Sequence, residues 1–111
     1  MAFDPELAER LRAVLATAVP VPPTEKKMMG GLSFMVRGKM CCGVMGEDLL
    51  VRVGAAEAGR ALAEPDTRPF DMGRGPSADW LLIAPAGVGT DKALGNWVRK
   101  ALVFVATLPD K

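Results

Sequence analysis

Between Leu32 and Val53 the apolar residues fall at every second position in three short runs, separated by two turn signals. Period-two patterning belongs to strands, because successive side chains on an extended chain point to opposite faces. Leu32, Phe34 and Val36 alternate with Ser33, Met35 and Arg37 in the first run. Arg37-Gly38 suits a tight turn, Lys39 to Met45 a second strand, Gly46-Glu47-Asp48 a second turn and Leu49 to Val53 a third strand. Strands joined by such short turns run antiparallel. A three-stranded antiparallel meander is therefore the least adjustable part of the chain, and the rest must pack on it.

Helical signals flank the meander. Asp4-Pro5-Glu6 combines a capping carboxylate, a first-turn proline and an acid that complements the helix dipole. Leu7, Leu11, Val14, Leu15 and Ala18 then recur at helical spacing, and "VPVPP" ends the run, so the first helix is predicted over residues 4–18. "TEKKMMGG" (Thr24 to Gly31) reads as a polar loop. Gly54 to Glu64 is Ala-rich and predicts a short helix ended by Pro65. Arg68 to Met72 predicts a fourth strand and Asp79 to Pro85 a fifth, with the turn-rich "GRGPSA" between them. "APAGVGT" is read as a loop, and Thr90 or Asp91 caps a last helix with Leu94, Trp97, Val98, Ala101, Leu102 and Val105 on one broad face.

The predicted fold is α+β in the order α-β-β-β-α-β-β-α, an antiparallel sheet of about five strands with flanking helices. The 111 residues suit one domain, 1–111. Half the residues are apolar but only 5% are aromatic, so the core is expected to consist of Leu, Val, Ala and Met.

The charges exclude some functions. The chain carries 14 basic and 13 acidic residues. Residues 1–36 hold four of each sign, 37–74 six of each, and 75–111 four basic and three acidic. No third of the chain has the positive excess on which nucleic-acid binding usually rests. No apolar run reaches the length of a membrane span, and the N-terminus has no signal-peptide pattern. A cytoplasmic, reducing setting with free thiols is expected.

The two cysteines, Cys41 and Cys42, are adjacent in "GKMCCGV", and the chain has no histidine. Structural zinc needs four ligands, usually Cys or His, so one chain cannot close such a site. Strand alternation sends adjacent side chains to opposite faces, so one thiol is expected inside and one outside. Met40, Cys42 and Val44 would then share a face, with Cys41 and Gly43 on the other. Three readings stay open: ordinary strand positions, a reactive thiol activated by a nearby Lys39 or Arg37, and a metal bridged between subunits.

Catalytic constellations are scarce. Without histidine or tyrosine, Ser-His-Asp and Cys-His arrangements cannot form. Ser33 and Ser77 are the only serines, in a strand and a turn, and neither has an evident base. The acidic pairs Glu47-Asp48 and Glu64/Asp66 lie in turns, where solvated charge is the simplest account. Gly30-Gly31 leads into a strand and Gly73-Arg74-Gly75 sits between strands, so neither is a phosphate loop. "GVGTDKALGN" opens a helix whose amides could hold an anion, but it lacks the Gly-x-Gly-x-x-Gly spacing and turn and cap chemistry is the favoured account.

Two surface groups carry more information. Lys26, Lys27, Arg37 and Lys39 flank the first strand and form a candidate contact surface for an acidic protein or a phosphate backbone, if the fold gathers them. Met28, Met29, Met35, Met40 and Met45 cluster in the strand region. A core role is the favoured reading for them, with an adaptable binding surface as the alternative. Because the strands are apolar on both sides, a second covered face is expected, by helices or by a homodimer partner.

"KKMMGGLSFMVRGKMCCGVMGEDLLVRVG" (Lys26 to Gly54), followed by "EPDTRPFDM" (Glu64 to Met72), resembles the N-terminal domain family of the TfoX/Sxy competence regulators. The matching pieces are Lys26-Lys27, Met28-Met29-Gly30-Gly31, Gly38-Lys39-Met40, Gly43-Val44, Leu49 to Val53, Pro69 to Met72 and Trp80 onward, over about residues 25–108. Met29 stands where the family often has an aromatic residue, and "GRGPSADW" lacks the common Pro-Met-Lys-Gly turn. The resemblance implies a small α+β fold similar to secretion-chaperone-like folds. It implies a regulatory role in which full-length relatives act on transcription with a catabolite-activator partner. Those relatives carry a further C-terminal helical domain, so a stand-alone N-terminal domain is expected. The family has no established catalytic residues to carry over.

These readings predict a non-enzymatic regulatory or protein-interaction module, without cofactor or metal, that self-associates as a homodimer. The alternatives are a nucleic-acid-associated transcription cofactor using Lys26, Lys27, Arg37 and Lys39, and a thiol-reactive protein using Cys41 or Cys42.

Overall fold

A first helix, α1, spans Pro5–Ala18. The Asp4 carboxylate accepts a hydrogen bond from the Glu6 N–H at 2.9 Å, and Val19 leaves the helix in an extended conformation. A computed structural model describes residues 3–19, 23–28, 31–71 and 76–108. Helix α1 buries Leu7, Ala8, Leu11 and Leu15, while Val14 packs at the edge and Ala18 stays exposed.

Among the described residues the sheet has six strands: β1 Thr24–Met28, β2 Gly31–Val36, β3 Lys39–Met45, β4 Asp48–Arg52, β5 Thr67–Asp71 and β6 Pro76–Ile83. Their order is β1-β2-β3-β4-β6-β5, and every neighbouring pair is antiparallel. The meander β2-β3-β4 lies where the alternation places it. Arg37 and Gly38 both have positive φ (55° and 77°), the backbone of the two-residue hairpin turn that matches strand twist.

The sheet is one strand larger than expected. Thr24–Met28, read as a polar loop, is β1, paired with β2 from Thr24↔Met35 to Met28↔Gly31. Glu25, Lys26 and Lys27 are exposed on this edge strand, so no apolar alternation betrays it. Charge on an edge also blocks pairing with a further chain. The other edge, β5, carries Pro69, which an edge strand tolerates. Strand β6 begins at Pro76, inside the segment read as a turn, and ends at Ile83. Residues 85–88, read as loop, form a short 3-10 helix.

Helix α2 spans Ala55–Ala61 and α3 spans Asp91–Val105. Thr90 is the cap of α3: its hydroxyl accepts from the Ala93 N–H at 3.1 Å. Helices α1, α2 and α3 feed one core cluster. Leu11 and Leu15 of α1, Ala58 and Ala61 of α2, and Leu94, Trp97, Val98, Ala101 and Val105 of α3 belong to it. Apart from Cys41, the strand residues in the cluster share one alternation phase, among them Leu32, Phe34, Cys42, Val44, Leu49, Val51, Leu81 and Ile83. The helices therefore cover one face of the sheet, giving a two-layer domain. The opposite phase holds Ser33, Met35, Met40, Met45, Leu50 and Leu82. On this second face Ser33 and Leu50 are buried, and the three methionines and Leu82 are half-buried.

Candidate functional site

The thiol pair comes first, because the alternation mis-sorts it. Opposite β2, Phe34 faces Cys42 but Met35 faces Met40, so β3 carries one extra residue at Cys41. An extra residue of this kind is a β-bulge, which breaks the strict alternation of side chains. Cys41 and Cys42 consequently both lie in the core, each with no exposed surface. The expected outward cysteine does not exist, and Met40 falls on the Met35 side rather than with Cys42 and Val44. Both thiols are free. The hydrogen bond that the Cys42 thiol donates to its neighbour Cys41, together with burial, pushes the Cys42 thiol well above its ordinary range. That is opposite to the shift that activates a nucleophile. Among the described residues no group of three or more Cys, Asp or Glu could hold a metal ion.

The four basic residues are spread out. Lys26 pairs with Ser33 and shares its helix-free phase, whereas Lys27 pairs with Leu32 and points with the helix-covered phase. From these register positions to Arg37 is four and five residues along β2, roughly 13 and 17 Å at strand rise. Lys39 pairs with Val36 beside the turn and is half-buried. Arg37 and Lys39 thus lie at one end of the sheet, away from Lys26 and Lys27. Between them Glu25 forms a two-pronged pair with Arg12 of α1, at 2.5 and 2.8 Å. The guanidinium holds the Glu25 carboxyl below its usual range.

The remaining sequence candidates have local explanations. Asp48 binds Arg68 across the sheet, while Glu47, Glu64 and Asp66 are exposed. Ser33 is buried in β2, and the side chain of Ser77 falls outside the described residues, as do Met29-Gly30 and Gly73 to Gly75. Of the amides that open α3, that of Ala93 donates to the Thr90 hydroxyl.

Two features escaped the sequence reading. Arg52, at the end of β4, lays its guanidinium over Trp80 and Phe104, 5.6 and 5.9 Å from the ring centroids, and donates to the Met40 carbonyl at 3.5 Å. Its neighbour relations join residues 52, 80 and 104, which no local pattern connects. The second feature is the outward side of α3. Val103 is 64% exposed there, and the surface on either side of it is concave.

A family model, described as the TfoX N-terminal domain, matches residues 15–105. The chain belongs to the TfoX N-terminal domain family. The match runs from the end of α1 through the whole sheet to the last residue of α3, so it takes in every strand of this TfoX N-terminal domain. Neither the curated proteins nor the solved structures contain a significant match. No helix among the described residues is long and apolar enough to cross a membrane.

Proposed function

We propose that this TfoX N-terminal domain is a non-enzymatic regulatory module that works by binding protein, and that it self-associates as a homodimer through its helix-free sheet face. The observation that carries the reading is the row of Met35, Met40 and Met45, brought to one face by the bulge at Cys41 and continued by half-buried Leu82. Unbranched thioether side chains repack readily against an apolar partner, including a copy of themselves. The sheet edges favour a face over an edge: Glu25, Lys26 and Lys27 guard β1, and Pro69 interrupts the donors of β5. In a cytoplasmic regulator such a dimer would leave the helix layer free for other contacts.

Size exclusion with light scattering tests the dimer. The reading expects twice the 11.8 kDa chain mass at high micromolar concentration, and the single-chain mass for a Met35→Glu, Met45→Glu double variant whose circular dichroism is unchanged. A wild-type chain that stays monomeric at high micromolar concentration overturns it. Salt-sensitive binding to duplex DNA, lost on charge reversal of Lys26 and Lys27, would replace it with the nucleic-acid reading.

A further inference from the structure

Two grooves run along the outward side of α3 and share a ridge. One, of about 400 Å³, lies between α2 and the second half of α3 and is floored by Val53, Gly54 and Phe104. The other, of about 650 Å³, lies between α3 and the C-terminal half of α1, is floored by Val98, and has Val14, Ala18, Leu102 and Ala106 along its sides. Arg99 and Val103 line both. Val103 is the more exposed of two large apolar residues that are exposed among the described residues.

The charge around these grooves is one-sided. Arg60, Lys92, Arg99 and Lys100 border them against two carboxylates, Glu57 and Asp91. Both carboxylates are already engaged: Glu57 with Arg60 at 2.8 Å and Lys100 at 3.0 Å, and Asp91 with Arg10 at 3.3 Å. Among the described residues neither Lys92 nor Arg99 has a carboxylate partner, and Arg99 instead donates to the Asn96 side chain at 3.0 Å. The surface thus combines an apolar floor, an exposed valine ridge and two cations without counter-charge.

We propose that this α3 surface docks an amphipathic helix of a partner protein, with its apolar stripe over Val103 and acidic residues against Lys92 and Arg99. Helix-in-groove recognition needs such a floor, and the charges select the sign of the flanking residues. From Lys92 to Ala106 the surface is about 21 Å long at helical rise, enough for roughly four turns of a docked helix. A second copy is the poorer occupant. A two-fold interface on the Val103 ridge would bring together two copies of the same net-positive surface, with Arg60, Lys92, Arg99 and Lys100 against Glu57 and Asp91 in each, and this charge excess disfavours an isologous interface.

Two synthetic peptides of about four turns test this. They carry the same Leu/Ala stripe, one flanked by Glu and the other by Lys, and their binding to the full chain is followed by fluorescence anisotropy and amide chemical shifts. The Glu peptide should shift amides of α2 and of the second half of α3. It should bind at least about tenfold more tightly than the Lys peptide, and weaken about tenfold on Arg99→Glu or on raising salt from about 50 to 500 mM. Arg99 is exposed, so an unchanged melting curve for Arg99→Glu shows that the fold is intact. Equal binding of the two peptides, no binding at about 1 mM, or shifts confined to the sheet face overturn the proposal. So does a homodimer that Val103→Glu dissociates, which would assign the surface to a second copy. Tighter binding of a duplex DNA at the same amides overturns it as well.

Discussion

Replacing Gly54 with alanine should destabilise the domain through two separable effects. Gly54 caps α2 with φ 89° and ψ 155°, a conformation that residues with a Cβ almost never adopt. The conformation is imposed from outside, because the Val53 and Gly54 N–H groups both donate to the Asp79 carbonyl, at 2.9 and 3.1 Å. Holding a non-glycine residue there costs about 1–3 kcal/mol. A Cβ on Gly54 would also stand 2.6 and 2.7 Å from two carbons of the Phe104 ring. That ring must move by several tenths of an ångström, and overpacking of this kind costs about 1–3 kcal/mol. The sum is about 2–6 kcal/mol, a drop in Tm of at least about 8 °C for a domain of this size. Urea and thermal denaturation of Gly54→Ala measure the total. A cycle with Phe104→Ala divides it: in that background Gly54→Ala should cost only the backbone share, leaving a coupling of about 1–3 kcal/mol. Gly59→Ala is the control, since Gly59 is exposed inside α2 with nothing within 4 Å of its Cβ position, and this change should stabilise by about 0.5–1 kcal/mol. A Gly54→Ala variant within about 1 kcal/mol of wild type refutes the strain argument, and an equal cost in both backgrounds refutes the role given to the ring.

The side-chain chemistry sets four further outcomes. Alkylation of Cys41 and Cys42 should be at least about a hundredfold slower in the native protein than in urea, because both thiols are fully buried and only the thiolate reacts; fast native labelling at pH 7 would revive the reactive-thiol reading. The Cys42 thiol is raised in the folded state, so its contribution to stability is complete below its unfolded value near 9.0 and is lost as pH climbs through the higher folded value. Stability followed by denaturation from pH 7 to 10 should therefore fall more steeply for wild type than for Cys42→Ala. Arg12→Ala should cost at most about 1 kcal/mol, since Arg12 and Glu25 are substantially solvated. The same variant should reduce the loss of stability on acidification, because the depressed Glu25 carboxyl adds stability above its ordinary 4.5 and loses it as pH falls below.

What the sequence made legible was set by burial. The strands β2, β3 and β4, the stripe Leu7-Leu11-Leu15 and the broad face of α3 were readable because one face of each meets the core, and burial writes a period into the residues. Strand β1 is held by backbone pairing to β2 with Glu25, Lys26 and Lys27 in solvent, so its side chains record no period. The start of β6 was hidden for a related reason: Pro76 reads as a breaker, yet it begins a strand, a position proline tolerates. The cysteines failed differently. Alternation is a sound rule until a bulge adds a residue, and "KMCCG" has no local signal for the bulge at Cys41. That single residue places both thiols in the core and moves Met40 into line with Met35 and Met45. The Arg52-Trp80-Phe104 contact and the α3 grooves arise from tertiary packing of distant segments, which no window of sequence contains.

The two proposed surfaces belong to opposite sides of a two-layer domain. Met35, Met40 and Met45 lie on the sheet face that the helices do not cover, while Val103 and Arg99 lie on the side of α3 turned away from the sheet. The core cluster, which includes Val98 and Ala101 of α3 and Val44 and Val51 of the sheet, lies between them. Groups this far apart that share no partner contribute additively. The Met35→Glu, Met45→Glu variant should therefore leave affinity for the acidic peptide unchanged, and Arg99→Glu should leave the light-scattering mass unchanged. Coupling in either direction would mean that the layers do not act as separate surfaces. Independence would let a homodimer present two α3 surfaces at once, so that a partner carrying two acidic helices gains avidity with no new contact.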